Sequence, residues 1–342
     1  MKCFYHRGDF DGKCAGAIVK LRHPRCEMIG LEYGEPFPWD LVQPFGGVVG
    51  SGPSGNSAIN EACKQTVVMV DFSLQPFEDM IRLAKMTKLT WIDHHKTAIE
   101  ERNRAMAVNS FVREAPPMES FIPLFARGVQ EVGQAACELT FRYLCPGMEM
   151  PVAVRLLGRY DVWDIQNAAV LAFQYGMRAQ GEWHPSDVTA WQMLFDDPGM
   201  VRDIIEKGSA VLDYERAQSA AYMREFGFVG DILPPKSMLK ITALCVNLGR
   251  VSSMTFSSAD PSVLLFCGYA QLPDGRWRVS LRRTDGSTVD CGAIAKAFGG
   301  GGHAGAAGFV ADDLDWMQRV DAGEMADTRP APTAAMCKEV VA

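Results

Sequence analysis

Val67-Val68-Met69-Val70-Asp71 and Leu89-Thr90-Trp91-Ile92-Asp93-His94-His95 decide the fold. Each is a short, continuous β-rich run closed by a carboxylate and followed by a stretch of helical character. That alternation predicts an α/β sheet wound by βα units. Asp71 and Asp93 then stand at the carboxyl ends of parallel strands, the edge where open α/β sheets bind ligands.

Outward from these runs, the 342 residues suggest about two domains at roughly 150 residues each. Apolar residues recur at three- and four-residue spacing between about Ser186 and Phe228 (Val201, Ile204, Ile205, Val211, Leu212), which reads as linker helices. A second β-rich region follows at Leu239–Leu248, Ser262–Tyr269 and Arg276–Arg283, then a helix near Ala293–Phe298. The expected order is a catalytic parallel-sheet domain over 1–185, a helical linker over 186–235, a smaller α/β domain over 236–325 and a flexible tail over 326–342. The Gly- and Ser-rich stretch Gly46–Ser57 reads as a mobile surface loop, since it lacks the Lys-Ser/Thr ending of a phosphate-binding P-loop.

Composition excludes several classes. With 48% hydrophobic and 22% charged residues the chain is not disordered. No run approaches the ~18 apolar residues of a membrane helix, and the first motif begins too early for a secretory signal. Ten cysteines without a Cys-x-x-Cys pair argue for reduced thiols and against a structural zinc site. A soluble, cytoplasmic protein is expected. The net charge of −7, from 34 basic and 41 acidic residues, disfavours long duplex DNA as a partner. Small phosphorylated substrates remain, because a metal site supplies positive charge locally.

The chemistry-bearing residues form a few clusters. His6 opens His-x-x-Asp-x-Asp-Gly, with Asp9 and Asp11 two apart. On an extended segment both carboxylates would face one cation; the alternative is a solvated Asx turn. Asp93-His94-His95 puts imidazoles at a strand edge. Asp71 alone would be a helix N-cap, and Asp161, in Arg159-Tyr160-Asp161-Val162-Trp163-Asp164, would be unremarkable alone. Together they supply mixed carboxylate and imidazole ligands, which suit hard divalent ions shading towards manganese. Several carboxylates converging on one place also require cations to neutralise them, which implies two metal ions.

The last cluster is Gly299-Gly300-Gly301-Gly302-His303-Ala304-Gly305. Such a run lets backbone N–H groups approach a phosphate or sugar, and His303 adds a side-chain donor. Just before it, Arg276, Arg278 and Arg282 line one face of an amphipathic strand. Arg276 and Arg278 read as a solvated face, and Arg282 as a phosphate contact.

These motifs, His6-x-x-Asp9-x-Asp11-Gly12, Asp71, Asp93-His94-His95 and Asp161, resemble in their order the four motifs of the DHH phosphoesterase superfamily. Gly300-Gly301-Gly302-His303 resembles the signature of its associated DHHA1 domain. The resemblance spans about residues 3 to 310 and is greatest to the nanoRNase (oligoribonuclease) branch. It implies an N-terminal DHH domain and a C-terminal DHHA1 domain, with the active site in the cleft between them. It also implies a two-manganese centre held by His6, Asp9, Asp11, Asp71, His94 and Asp161, with Asp71 bridging. Asp161 is preferred to Asp164 for its place in Tyr-Asp-x-Trp. Asp93 would orient a neighbouring imidazole and His95 would sit near the scissile phosphate. Arg282, Gly300, Gly301, Gly302 and His303 would bind substrate. The implied activity is metal-dependent hydrolysis of short RNA or DNA oligonucleotides, or linear dinucleotides, to nucleoside monophosphates; a homodimer is compatible with it. A cyclic-dinucleotide phosphodiesterase, a phosphoadenosine-phosphate phosphatase, an exopolyphosphatase and a non-catalytic nucleotide sensor stay open as alternatives.

Overall fold

Four strands pair in parallel in the order β2-β1-β3-β4: β1 (Lys2–His6), β2 (Glu27–Leu31), β3 (Thr66–Val70) and β4 (Lys88–Ile92). The computed structural model describes residues 1–42, 64–111, 127–235, 240–249, 251, 255–256, 259, 262–284, 286–302 and 304–320. The Gly46–Ser57 stretch, His303 and the 326–342 tail lie outside the described residues.

The continuous apolar runs have a packing reason, since both faces of this sheet are covered. Cys3, Tyr5, Val68, Val70 and Ile92 pack in one core with helices α1 (Phe10–Arg22), α4 (Ala136–Leu144), α5 (Val152–Asp161), α6 (Ala168–Ala179) and α7 (Val188–Asp196). Their neighbours Phe4, Val67, Met69, Leu89 and Trp91 point to the other face, against α2 (Phe77–Met86) and the start of α3 (Lys96–Phe111). Successive strand residues alternate between the two cores, as the pleat requires.

Strand order also locates the ligand edge. From β1 the chain crosses to β2 on one side, whereas β3 and β4 lie on the other, so the winding reverses between β1 and β3. Open α/β sheets bind ligands at such a switch point. Register keeps the strand ends level there, with His6 opposite Leu31, Tyr5 opposite Val70 and Val70 opposite Ile92. His6, Glu32, Asp71 and Asp93 therefore emerge along one edge.

The chain divides into two compact units, Met1–Leu212 and Asp213–Ala342, with the division inside the long helix α8 (Pro198–Phe226). The second unit has a mixed sheet in the order β11-β5-β6-β7-β8-β10-β9. Its strands are β5 (Phe228–Ile232), β6 (Ile241–Asn247), β7 (Leu265–Gln271), β8 (Trp277–Arg283), β9 (Gly301–Gly302), β10 (Ala306–Ala311) and β11 (Met317–Arg319), with helix α9 (Cys291–Ala297) against it. Among the described strands of this second sheet, only the β6–β7 pairing is parallel. The α/β class is thus as expected in both units. One correction concerns the segment 186–235, read as wholly helical. Its last part is β5, which is paired on both edges, with β6 and β11.

No described helix is long and apolar enough to cross a membrane. All eight described cysteines are free and buried.

Candidate metal centre

Asp9 and Asp11 enter the site through a helix start, which corrects the extended-segment reading. Asp9 is the N-cap of α1, its Oδ1 accepting the Gly12 N–H at 3.0 Å, and Asp11 lies in the first helical turn. Gly12 is what permits the tight approach of helix to strand: a Cβ there would fall 2.1 Å from the His6 carbonyl oxygen. Buried Asp11 is held at a second helix start. Its two oxygens accept the backbone N–H groups of Ala136 and Cys137, each at 2.8 Å, at the amino-terminal end of α4. A carboxylate is stabilised there by free N–H donors and the helix dipole.

Asp71 lies at the centre and is only 1% exposed. Its backbone is left-handed, with φ of 54°, an uncommon conformation for a non-glycine residue and one that clusters at functional sites. The two oxygens look towards different partners: Oδ2 is 3.5 Å from His6 Nδ1, and Oδ1 is 3.3 Å from His94 Nε2. Asp9 Oδ2 lies 3.1 Å from the same His6 nitrogen. On the other side, His94 Nε2 is 3.3 Å from Asp161 Oδ2 and 3.8 Å from Asp11 Oδ2. His6, Asp9 and Asp71 form one group able to hold an ion, and Asp11, His94 and Asp161 form another. Asp164 is instead half-exposed and ion-paired with Arg159 at 3.7 Å.

Asp93 is a different kind of carboxylate. It is fully buried, and its Oδ1 accepts the backbone N–H groups of His94 (2.7 Å) and His95 (3.1 Å) and faces His95 Nδ1 at 2.7 Å. Its Oδ2 accepts the Trp91 indole N–H at 3.2 Å. Protein donors thus occupy both oxygens, so Asp93 fixes the Asp-His-His turn and the His95 ring.

Asp71 has no such donors. Both its oxygens, His6 Nδ1 and Asp161 Oδ2 are buried atoms without a hydrogen bond, although they lie 3.1–3.5 Å from one another's groups. These groups converge on one another without forming a hydrogen bond. Buried polar atoms are seldom left this way, and cations held among them would satisfy all four, so a divalent centre fits the residues present.

Protonation shifts agree. Burial opposes the charge on His6, yet the Asp71 and Asp9 carboxylates raise it to about 11. Burial and then repulsion from Asp71 push the Asp161 carboxyl up to about 7, and burial with Asp71 and Asp161 pushes Asp11 up as well. Burial works against His95 too, but Asp93 raises it to about 9. In a metal-free site, protons take the place of the missing positive charge.

Sequence reasoning missed Glu32 and Tyr33. Glu32 Oε1 lies 3.2 Å from His6 Nε2, on the far side of the ring from Asp9 and Asp71. Its only signal was its position, one residue beyond β2 on the ligand edge.

In the second unit, Arg282 is exposed, opposite Ala306 on β10. Arg276 pairs with Asp274 and Arg278 donates to the Gly249 carbonyl, as a solvated face would. Two glycines of the run have packing reasons. A Cβ on Gly300 would meet the Gly308 carbonyl at 2.2 Å, and Gly302 has φ of 140° against Ala307. Gly301 is exposed and has open space around it.

No family model and no curated protein matches the sequence. Among solved structures, a pGpG-specific phosphodiesterase, PggH, from Vibrio cholerae superposes with a TM-score of 0.47 at 10% identity, over 99% of this chain and 98% of that one. An uncharacterized protein from Helicobacter pylori G27 superposes with a TM-score of 0.36 at 13% identity, over 95% and 96% of the two chains. Similarity of this degree establishes no shared activity.

Proposed function

We propose that the chain is a manganese-dependent phosphodiesterase that hydrolyses short oligonucleotides and linear dinucleotides to nucleoside monophosphates. One observation carries the reading: Asp71 is buried, has no hydrogen bond to either oxygen, and turns those oxygens towards two separate ligand groups. His6, Asp9 and Asp71 would hold one ion, and Asp11, Asp71, His94 and Asp161 the other. When bound, such a pair supplies Lewis acidity towards a phosphodiester and activates water for attack.

The protein's own groups position and compensate charge. Glu32 accepts the His6 Nε2–H, which leaves Nδ1 as the free lone pair facing Asp9 and Asp71. Asp93 accepts the His95 Nδ1–H, fixes the ring and raises its affinity for a proton. When protonated, the opposite nitrogen of His95 is a donor for a phosphoryl oxygen. Arg282, Gly300, Gly301, Gly302 and His303 are proposed substrate contacts, with Gly301 the freest of these glycines to meet a ligand.

The test is purified protein with Mn2+, assayed with products resolved. The panel is dinucleotides, short RNAs, cyclic dinucleotides, phosphoadenosine phosphate and polyphosphate, with a chelator control. Two bound ions per chain and chelator-sensitive release of monophosphates from short linear substrates are expected. Absence of bound metal together with absence of turnover would overturn the reading.

A further inference from the structure

Tyr33 lies two residues beyond β2, on the same edge as the carboxylates. Its ring stacks on that of Phe72, the residue after Asp71, with centroids 4.4 Å apart and planes 22° from parallel. The His6 ring is 5.5 Å away, and the His95 ring stands edge-on at 6.0 Å. Phe72 is buried, whereas Tyr33 is 42% exposed. Phe72 thus covers one face of the tyrosine, while much of the residue remains exposed. A large ring packed for the core would be covered on both sides.

We infer that Tyr33, backed by Phe72, is a stacking platform for a nucleobase of the substrate. The inference deepens the phosphoesterase reading and rests on it for the phosphate proposed beside His95. A base is joined to that phosphate through a single sugar, and the His95 ring lies beside Tyr33. Phe72 holds the tyrosine ring in place before a ligand arrives, so little side-chain freedom is lost on stacking. Every base has a π-face, so the platform grips any of the four and adds affinity without sequence preference. It also gives an acidic protein a hold on short nucleotides that does not depend on a basic track.

The test compares equilibrium binding of guanosine 5′-monophosphate and ribose 5-phosphate to the Mn2+-loaded full chain, for wild type, Tyr33→Ala and Tyr33→Phe. Wild type and Tyr33→Phe should bind the nucleotide roughly 10- to 100-fold more tightly than the base-free sugar phosphate. Tyr33→Ala should lose most of that ratio, with metal content and circular dichroism unchanged. Similar KM values for the four homodinucleotides are expected alongside. A ratio near one in wild type, or a ratio that survives in Tyr33→Ala, would overturn the platform. If the ratio is present and Tyr33-dependent but no dinucleotide is turned over, the platform stands and the phosphodiesterase reading fails.

Discussion

His6 and Asp71 meet across the ends of two adjacent parallel strands, imidazole Nδ1 3.5 Å from carboxylate Oδ2, and neither atom makes a hydrogen bond. A cation held between them would satisfy both atoms. Substituting Asp71→Asn keeps the volume and removes the charge proposed to bridge two ions. Turnover and Mn2+ binding should both be lost, along with the thermal stabilisation that Mn2+ brings to wild type. That stabilisation is about 2.7 kcal/mol at 100-fold excess over Kd, and each kcal/mol raises Tm by about 2–4 °C in a unit of this size. A scan with and without Mn2+ measures it. An undiminished shift in Asp71→Asn would contradict the bridging role.

Metal loading should release protons. In the metal-free fold His6 is raised to about 11 from 6.5 and Asp161 to about 7 from 3.8. Below pH 6.5 the His6 contribution to folding is fully present, and it is lost as pH rises through about 11. At pH 7, Mn2+ must displace the His6 proton and part of the Asp161 proton. Calorimetric titrations in two buffers of different ionisation enthalpy should show at least one proton released per chain, and metal affinity rising from pH 6 to 8. A buffer-independent heat would count against this site.

Glu32→Gln and Glu32→Ala separate orientation from charge. Glu32 holds His6 Nε2 while Nδ1 faces the centre. Removing such an outer partner costs about 10–100-fold in metal affinity. Glu32→Ala should show that loss in competition with a chelating dye, and Glu32→Gln a smaller one, because its amide oxygen still accepts. Equal affinities in all three proteins would exclude the positioning role.

Asp11 and Asp161 should part company in stability. Asp11→Asn replaces an oxygen that accepts a backbone N–H at the start of α4, which should cost about 1–3 kcal/mol in the metal-free chain. Asp161 Oδ2 accepts no hydrogen bond, and its carboxyl is already pushed towards neutrality. Asp161→Asn should therefore leave the metal-free Tm unchanged or higher, while weakening metal binding as Asp11→Asn does. Denaturant melts of the two variants in chelator give the comparison.

Gly12→Ala tests the approach of helix to strand. A Cβ 2.1 Å from the His6 carbonyl oxygen meets backbone, which cannot rotate away. The helix must shift, at a typical overpacking cost of about 1–3 kcal/mol, and Asp9 and Asp11 must move with it. Both Tm and Mn2+ affinity should fall; a fall in neither would show that the helix can slide.

Much of this was written in local sequence. The continuous apolar runs ending at Asp71 and Asp93 marked parallel strands covered on both faces, because a doubly covered strand has no polar side to display. The residue types capable of holding divalent ions were likewise legible, since ligand chemistry resides in the side chain itself. Pairing distance, helix starts and neighbours across the sheet were not. Extended spacing suggested a shared face for Asp9 and Asp11, whereas a cap and a first helical turn place them. Nothing local distinguishes Asp93, whose oxygens are filled by protein donors, from Asp71, whose oxygens are bare. Glu32 and Tyr33 acquire their roles only because β2 lies beside β1 in register. Periodicity is a property of neighbouring residues and survives in one dimension; the orientation of a lone pair depends on contacts tens of residues away and exists only once the chain has closed on itself.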